Sequence, residues 1–230
     1  MSLSAVASVL ERAAGVLILF VLMRQLRRPA WLPGRIIARH MNSSHYKLTT
    51  WGLSHLQVDP ASVCLDVGCG GGRTIQQLAL LAPNGKVHGI DYSTASVAVA
   101  RQTNSAAIES GQVDIRHGSV SNLPFADDTF DLVTAVETLY YWPNLEADLR
   151  EVRRVLRPMG RVAIIAEAYR GQRMGGADAL AMRVLGGKLL SPNEHRDLLF
   201  AAGFADVSIF EDRQKGWLCV VGQKGASSAS

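Results

Sequence analysis

Apolar positions recur along this chain in two alternating rhythms. Short apolar runs stand at 63–67, 87–91, 113–117, 130–137 and 160–167, each bounded by polar, glycine or proline positions. Runs of that length predict strands, and the longer ones read as strands buried on both faces of a parallel sheet. Between them the period lengthens to that of a helix. Ile75, Leu78, Ala79 and Leu81 predict one over 74–81, and a second runs over 94–110 to a stop at Gly111. Leu145, Leu149, Val152 and Leu156 fall at i, i+4, i+7 and i+11, predicting an amphipathic helix that Pro158 and Gly160 stop. A capped helix over 191–203 and a closing pair of strands, 204–211 and 216–223, complete the pattern. Strands alternating with helices predict an α/β domain with right-handed crossovers. At 230 residues there is room for one such domain and none for a separate substrate domain, and no internal repeat is visible.

The first predicted strand and helix are joined by an unusual turn. Residues 63–72 read VCLDVGCGGG, an apolar run holding Asp66 and then glycines at 68, 70, 71 and 72. Glycines let the backbone turn sharply and approach a ligand with no Cβ in the way. A phosphate-cradling loop would need Lys-Ser/Thr after its last glycine, and Arg73-Thr74 follows instead. The dinucleotide pattern G-x-G-x-x-G meets Arg73 or Ile75 where its third glycine belongs. What remains is G-x-G-x-G at Gly68, Gly70 and Gly72, with an acid two residues before it. The second strand ends in Asp91, 19 positions after Gly72. An acid there can accept hydrogen bonds from both ribose hydroxyls of an adenosine ligand, or can serve as a helix cap for the segment from Ser93.

These residues resemble motif I and its successors in the class I S-adenosylmethionine (SAM) dependent methyltransferases. The stretch Gly118-Ser-Val-Ser-Asn-Leu-Pro-Phe125 is similar to the family's Gly-Asp-Ala-x-x-Leu-Pro-Phe, with Ser119 where the acid is expected and Val120 offering its N–H. The run Arg154-Val-Leu-Arg-Pro-Met-Gly160 is similar to its R-V-L-K-P-G-G turn, with Met159 in a glycine slot. The resemblance covers about residues 46–224, its elements in the family's order. It implies a Rossmann-like three-layer sandwich: a mostly parallel seven-stranded sheet with an antiparallel last strand, plus N-terminal helices. It also implies SAM as cofactor and S-adenosylhomocysteine as product, held by Asp66, Gly68, Cys69, Gly70, Gly72, Asp91, Tyr92, Ser119, Val120 and Glu137.

The N-terminus has a character of its own. Leu3 to Val21 follow helical spacing, and residues 13–23 are apolar on every side. Arg24, Arg27, Arg28, Arg35 and Arg39 follow, so residues 1–50 carry seven basic residues against the single acid Glu11. The remaining 180 residues hold 17 basic against 19 acidic, so the whole positive balance of the chain lies at this end. A basic segment beside an apolar helix suits an anionic membrane surface. Its uninterrupted apolar run of 11 residues is short of the ~20 that span a bilayer, and no small-residue cleavage site follows. The segment 1–45, with its helix at 3–23, is therefore expected to lie on a membrane, to pack on the domain at 46–224, or to form a homodimer. Residues 225–230 are expected to be a disordered tail.

Three cysteines without a C-x-x-C pair give no zinc pattern, so no metal site is expected, and a reducing cytoplasmic compartment fits. A slightly acidic domain without a DNA-methyltransferase motif excludes nucleic acid as the expected partner and leaves a small molecule or lipid. Catalytic candidates lie after strand four, where Glu137 and Tyr140 could contact the cofactor or act on an acceptor. His45 and Tyr46 join them, in a Met-Asn-x-x-His stretch that resembles one covering the cofactor in some bacterial relatives. The neutral alternatives are aromatic packing and a solvated histidine. Acceptor identity should be written in 169–190, whose arginines 170, 173 and 183 form no recognisable motif. A second reading keeps the fold without turnover: a SAM-binding, membrane-associated regulatory protein.

Overall fold

The computed structural model describes residues 45–172, 182 and 186–226. The N-terminal helix at 3–23, Arg24, Arg27, Arg28 and most of the segment 169–190 lie outside the described residues. Among the described residues, no helix is long and apolar enough to cross a membrane.

The chain runs α1 (Tyr46–Leu53), β1 (Val63–Val67), α2 (Arg73–Leu81), β2 (Lys86–Asp91), α3 (Thr94–Thr103), α4 (Ser105–Glu109), β3 (Val113–His117) and β4 (Phe130–Val136). A short 3₁₀ turn (Leu139–Tyr141) leads to α5 (Leu145–Val155), β5 (Leu156–Ala166), α6 (Pro192–Ala201), β6 (Ala205–Asp212) and β7 (Trp217–Gln223). The seven strands form one sheet in the order β3-β2-β1-β4-β5-β7-β6. Strands β1 to β5 pair in parallel, and β7 inserts antiparallel between β5 and β6. The expected sheet is therefore present, with its antiparallel strand one place in from the edge.

Alternation along each strand divides the core into two layers, because successive side chains leave opposite faces of a sheet. Cys64, Leu132, Ala163 and Ile165 point to the layer that holds Leu48, Ile75, Leu78, Val97 and Ala100 of α1, α2 and α3. Leu65, Val133 and Ile164 point to the layer of Leu149, Val152 and Val155 of α5 and Leu199 of α6. Helices thus cover both faces, which makes the three-layer sandwich.

Two boundaries differ from the sequence expectation. The helix over 94–110 breaks into α3 and α4 at Asn104, whose buried amide donates to the carbonyls of Gly72 and Ala100 at 3.0 and 2.9 Å. Strand β5 starts at Leu156, ahead of Pro158, because Leu156 pairs with Phe130 before a register shift near Leu132. Residue 159, the glycine slot, has φ +65° although it is methionine. Helix α6 behaves as expected: Ser191 and Glu194 form a reciprocal capping box with Pro192 at its first turn.

Candidate active site

The order of strands reverses direction between β1 and β4, and ligands of such sheets sit in the crevice at the carboxyl ends there. The glycine turn lies at this point. Gly68, Gly70 and Gly72 have φ of +71°, +51° and +84°, the left-handed region that disfavours any Cβ. A Cβ on Gly68 would stand 2.3 Å from Thr138 Oγ1, and one on Gly72 2.9 Å from the Ala100 Cα. A Cβ on Gly70 would meet nothing within 4 Å, so this residue alone of the three faces open space. The turn is pressed against protein at both ends and offers its middle to a ligand.

Asp91 faces that middle. Its Oδ2 accepts from the Gly70 N–H at 2.9 Å and its Oδ1 from the Ser93 N–H at 2.8 Å. The helix cap itself is Ser93, which accepts from Ser96 N–H. Burial raises the Asp91 carboxyl above its ordinary value, and the two N–H donors partly offset this. A carboxylate has about four acceptor positions, so two remain for other donors.

Asp66 lies on the neighbouring strand, β1. It is buried between β1 and β4, where Thr134 Oγ1 donates to its Oδ1 at 2.6 Å. Desolvation is the main cause that lifts its carboxyl to about 7, with Thr134 opposing and Asp91 adding to the rise. Cys69 turns its side chain into the core, and its N–H donates to the Ile90 carbonyl at 3.1 Å. Tyr92 is 37 % exposed beside the loop, its carbonyl in contact with His117 Nε2 at 3.0 Å. Ser119 accepts from Ser121 N–H and caps its own turn, while Val120 is buried.

Glu137 follows β4 with φ +55°, its backbone N–H fixed on the Ile165 carbonyl at 2.9 Å. One carboxylate oxygen accepts from the Glu167 N–H at 2.5 Å, and the other from the Tyr140 hydroxyl at 2.7 Å. Burial raises the Glu137 carboxyl and pushes the Tyr140 phenol well above its usual range, the nearby carboxylate adding to the latter. His45 stands 3.5 Å from Glu167. The two N-terminal candidates therefore part company. Tyr46 lies under the Arg73 guanidinium, 5.1 Å from its ring centre, on an outer groove of about 490 Å³ along α2 and α4. Of the arginines in 169–190, Arg170 is paired with Glu194 at 2.5 Å.

Four site residues escape a reading of motifs. Thr134 holds Asp66, Thr138 backs Gly68, Asn104 clamps Gly72, and Glu167 joins His45 and Glu137. Thr138 and Glu167 follow strand ends, the one signal that could have marked them. Asn104 is a buried polar residue at the joint of α3 and α4, and Thr134 is hidden in an apolar run.

Residues 65–164 match a family described as methyltransferase domain. An O-methyltransferase of Pyrenophora dematioidea is 30 % identical over 173 residues, 73 % of this chain and 63 % of the relative. A demethylmenaquinone methyltransferase of Bacillus mycoides is 39 % identical over 108 residues, 46 % of this chain and 45 % of its own length. A SAM-dependent methyltransferase of Aquifex aeolicus superposes with a TM-score of 0.66 at 21 % identity, covering 82 % of this chain and 96 % of that one. Residues 65–164 therefore form a methyltransferase domain of the kind found in SAM-dependent enzymes. It spans less than two thirds of the length of both curated relatives.

Proposed function

We propose that this chain moves the methyl group of SAM to an oxygen, nitrogen or carbon nucleophile of a small molecule or lipid, releasing S-adenosylhomocysteine. The observation that carries the reading is the turn at Gly68–Gly72, left-handed at three glycines, with its open middle residue tied to Asp91. When bound, the sulfonium supplies a strongly electrophilic methyl group. The chain's own residues have to hold it and exclude water, and alignment of the two reactants supplies most of the acceleration.

In this reading Asp91 accepts the ribose hydroxyls, and the Gly68–Gly72 backbone carries the amino-acid portion. Tyr92, Ser119 and Val120 border the adenine. Cys69 contributes backbone alone, because its thiol is in the core. Asp66 braces the strand end through Thr134. Glu137 stands on the methyl side, with buried Tyr140 and Trp142 as an apolar wall that keeps water out. A phenol pinned on Glu137 and raised so far is a poor proton carrier, so Tyr140 acts as wall rather than acid or base. A base is needed only for an alcohol or a protonated amine, and Glu137 and His45 are the groups at hand. The relatives' names make a hydroxyl the first acceptor to try and a demethylmenaquinone the second. A lipid acceptor would be met at an anionic surface reached by residues 3–23 with Arg24, Arg27 and Arg28.

Calorimetry with SAM and with NAD tests the cofactor. Micromolar SAM binding and none for NAD are expected, and the reverse would sink the reading. Radiolabelled-methyl transfer into extract, split into polar and lipid fractions, then assigns the acceptor class. Sedimentation with anionic vesicles, with and without residues 1–25, tests the membrane surface: equal sedimentation of the two forms removes it.

A further inference from the structure

One cluster beside the cofactor loop does more than the methyl-transfer reading asks of it. His45, Glu137 and Glu167 each present a ligand atom, all within 4.8 Å of one another. They come from three places in the chain, the start of α1 and the ends of β4 and β5, so the fold alone brings them together.

Charge argues against a simple ion pair. Even a protonated imidazole brings one positive charge to two carboxylates. Glu137 is partly buried, its carboxyl raised by desolvation with His45 as the chief opposing charge. Two carboxylates whose oxygens lie this close repel each other unless a cation joins them. Geometry points the same way. The N–H of Glu167 and the hydroxyl of Tyr140 fix both Glu137 oxygens, the support from behind that ligating carboxylates usually have. The His45 and Glu167 side chains are 22 % and 43 % exposed, which leaves an entry path.

The geometry points to a divalent-cation site formed by His45, Glu137 and Glu167 on the acceptor side of the cofactor turn. Metal–nitrogen and metal–oxygen bonds of about 2.0–2.2 Å require the cluster to tighten by roughly an ångström, and the half-exposed Glu167 is the side chain able to move. One imidazole and two carboxylates suit a borderline or hard cation such as Zn²⁺ or Mn²⁺ rather than a soft one. Three protein ligands leave positions open for an acceptor oxygen. There the cation would lower the pKa of a hydroxyl, whose proton would pass to solvent water rather than to a side-chain base; this use, though not the binding, rests on the methyltransferase reading.

The test uses untagged, full-length protein stripped with chelator, titrated with MnCl₂ by electron paramagnetic resonance and with ZnCl₂ by calorimetry. One cation per chain is expected. His45→Ala and Glu167→Gln should each weaken it by about tenfold or more, at least the loss that outer-shell changes cause, while circular dichroism shows both variants folded. Cysteine thiols are no rival ligands, since all three are buried. Absence of saturable binding, or unchanged affinity in either folded variant, overturns the site. Neither SAM nor acceptor is present in the titration, so its failure leaves methyl transfer standing, and failure to bind SAM leaves a cation result standing.

Discussion

Met159 shows how a single residue can carry stored strain. It sits at φ +65°, the region where a Cβ costs about 1–2 kcal/mol, and its side chain is 55 % exposed with little packing to lose. Met159→Gly should therefore stabilise the chain by about 0.5–1 kcal/mol once the greater freedom of an unfolded glycine is subtracted, read from urea melts. Asp66 carries a different load. Its folded carboxyl lies near 7 against an ordinary 3.8, so the unfolded chain gives up its proton first as pH rises. Stability from this group is full below about pH 4 and declines as pH climbs toward 7. Asp66→Asn keeps an acceptor for Thr134 and should flatten that decline; a parallel decline in the variant would show that Asp66 is not its source. The glycines separate folding from binding. Gly70→Ala meets no atom and should cost about 1 kcal/mol of stability while weakening SAM binding strongly. Gly72→Ala drives into the α3 backbone and should destabilise more than Gly70→Ala does, as paired melting curves would show.

Among the elements, those with a clean period were legible from the sequence. Five parallel strands, α5 and the capping box of α6 arise where hydrophobic spacing and end signals agree. The break at Asn104 was hidden, because the side chain that interrupts the helix bonds to Gly72, 32 residues away. Likewise the turn was legible as glycines and acids, yet the separate partners of its acids were not. Asp66 and Asp91 look alike in the chain and both are buried; pairing of β1 with β4 gives the one to Thr134, while the other accepts from the Gly70 N–H of the turn. His45 and Glu167 could not be joined by spacing at all. Asn104→Ala tests the clamp at this scale. It leaves the Gly72 carbonyl without its side-chain donor and should cost about 1–3 kcal/mol, with SAM affinity falling alongside stability. A loss of stability with unchanged affinity would confine Asn104 to a helix joint.

At the scale of the whole molecule, the glycine turn is pressed between the residues that follow β4 and helix α3. Thr138 follows β4 and backs Gly68, and Ala100 of α3 backs Gly72, so a ligand at the turn should be felt throughout the domain. SAM at 100 times its dissociation constant should add about 2.7 kcal/mol to unfolding, with NAD adding nothing, in a thermal-shift series. The buried cysteines extend this to kinetics. Burial holds the Cys64 and Cys219 thiols near 12, and Cys69 is raised well above its ordinary value, so none forms the thiolate that alkylating reagents attack. The chain therefore contains its own clock for opening. Iodoacetamide should label Cys64 and Cys219 only as fast as the sheet comes apart, whereas labelling of Cys69, within the turn itself, should report local opening there.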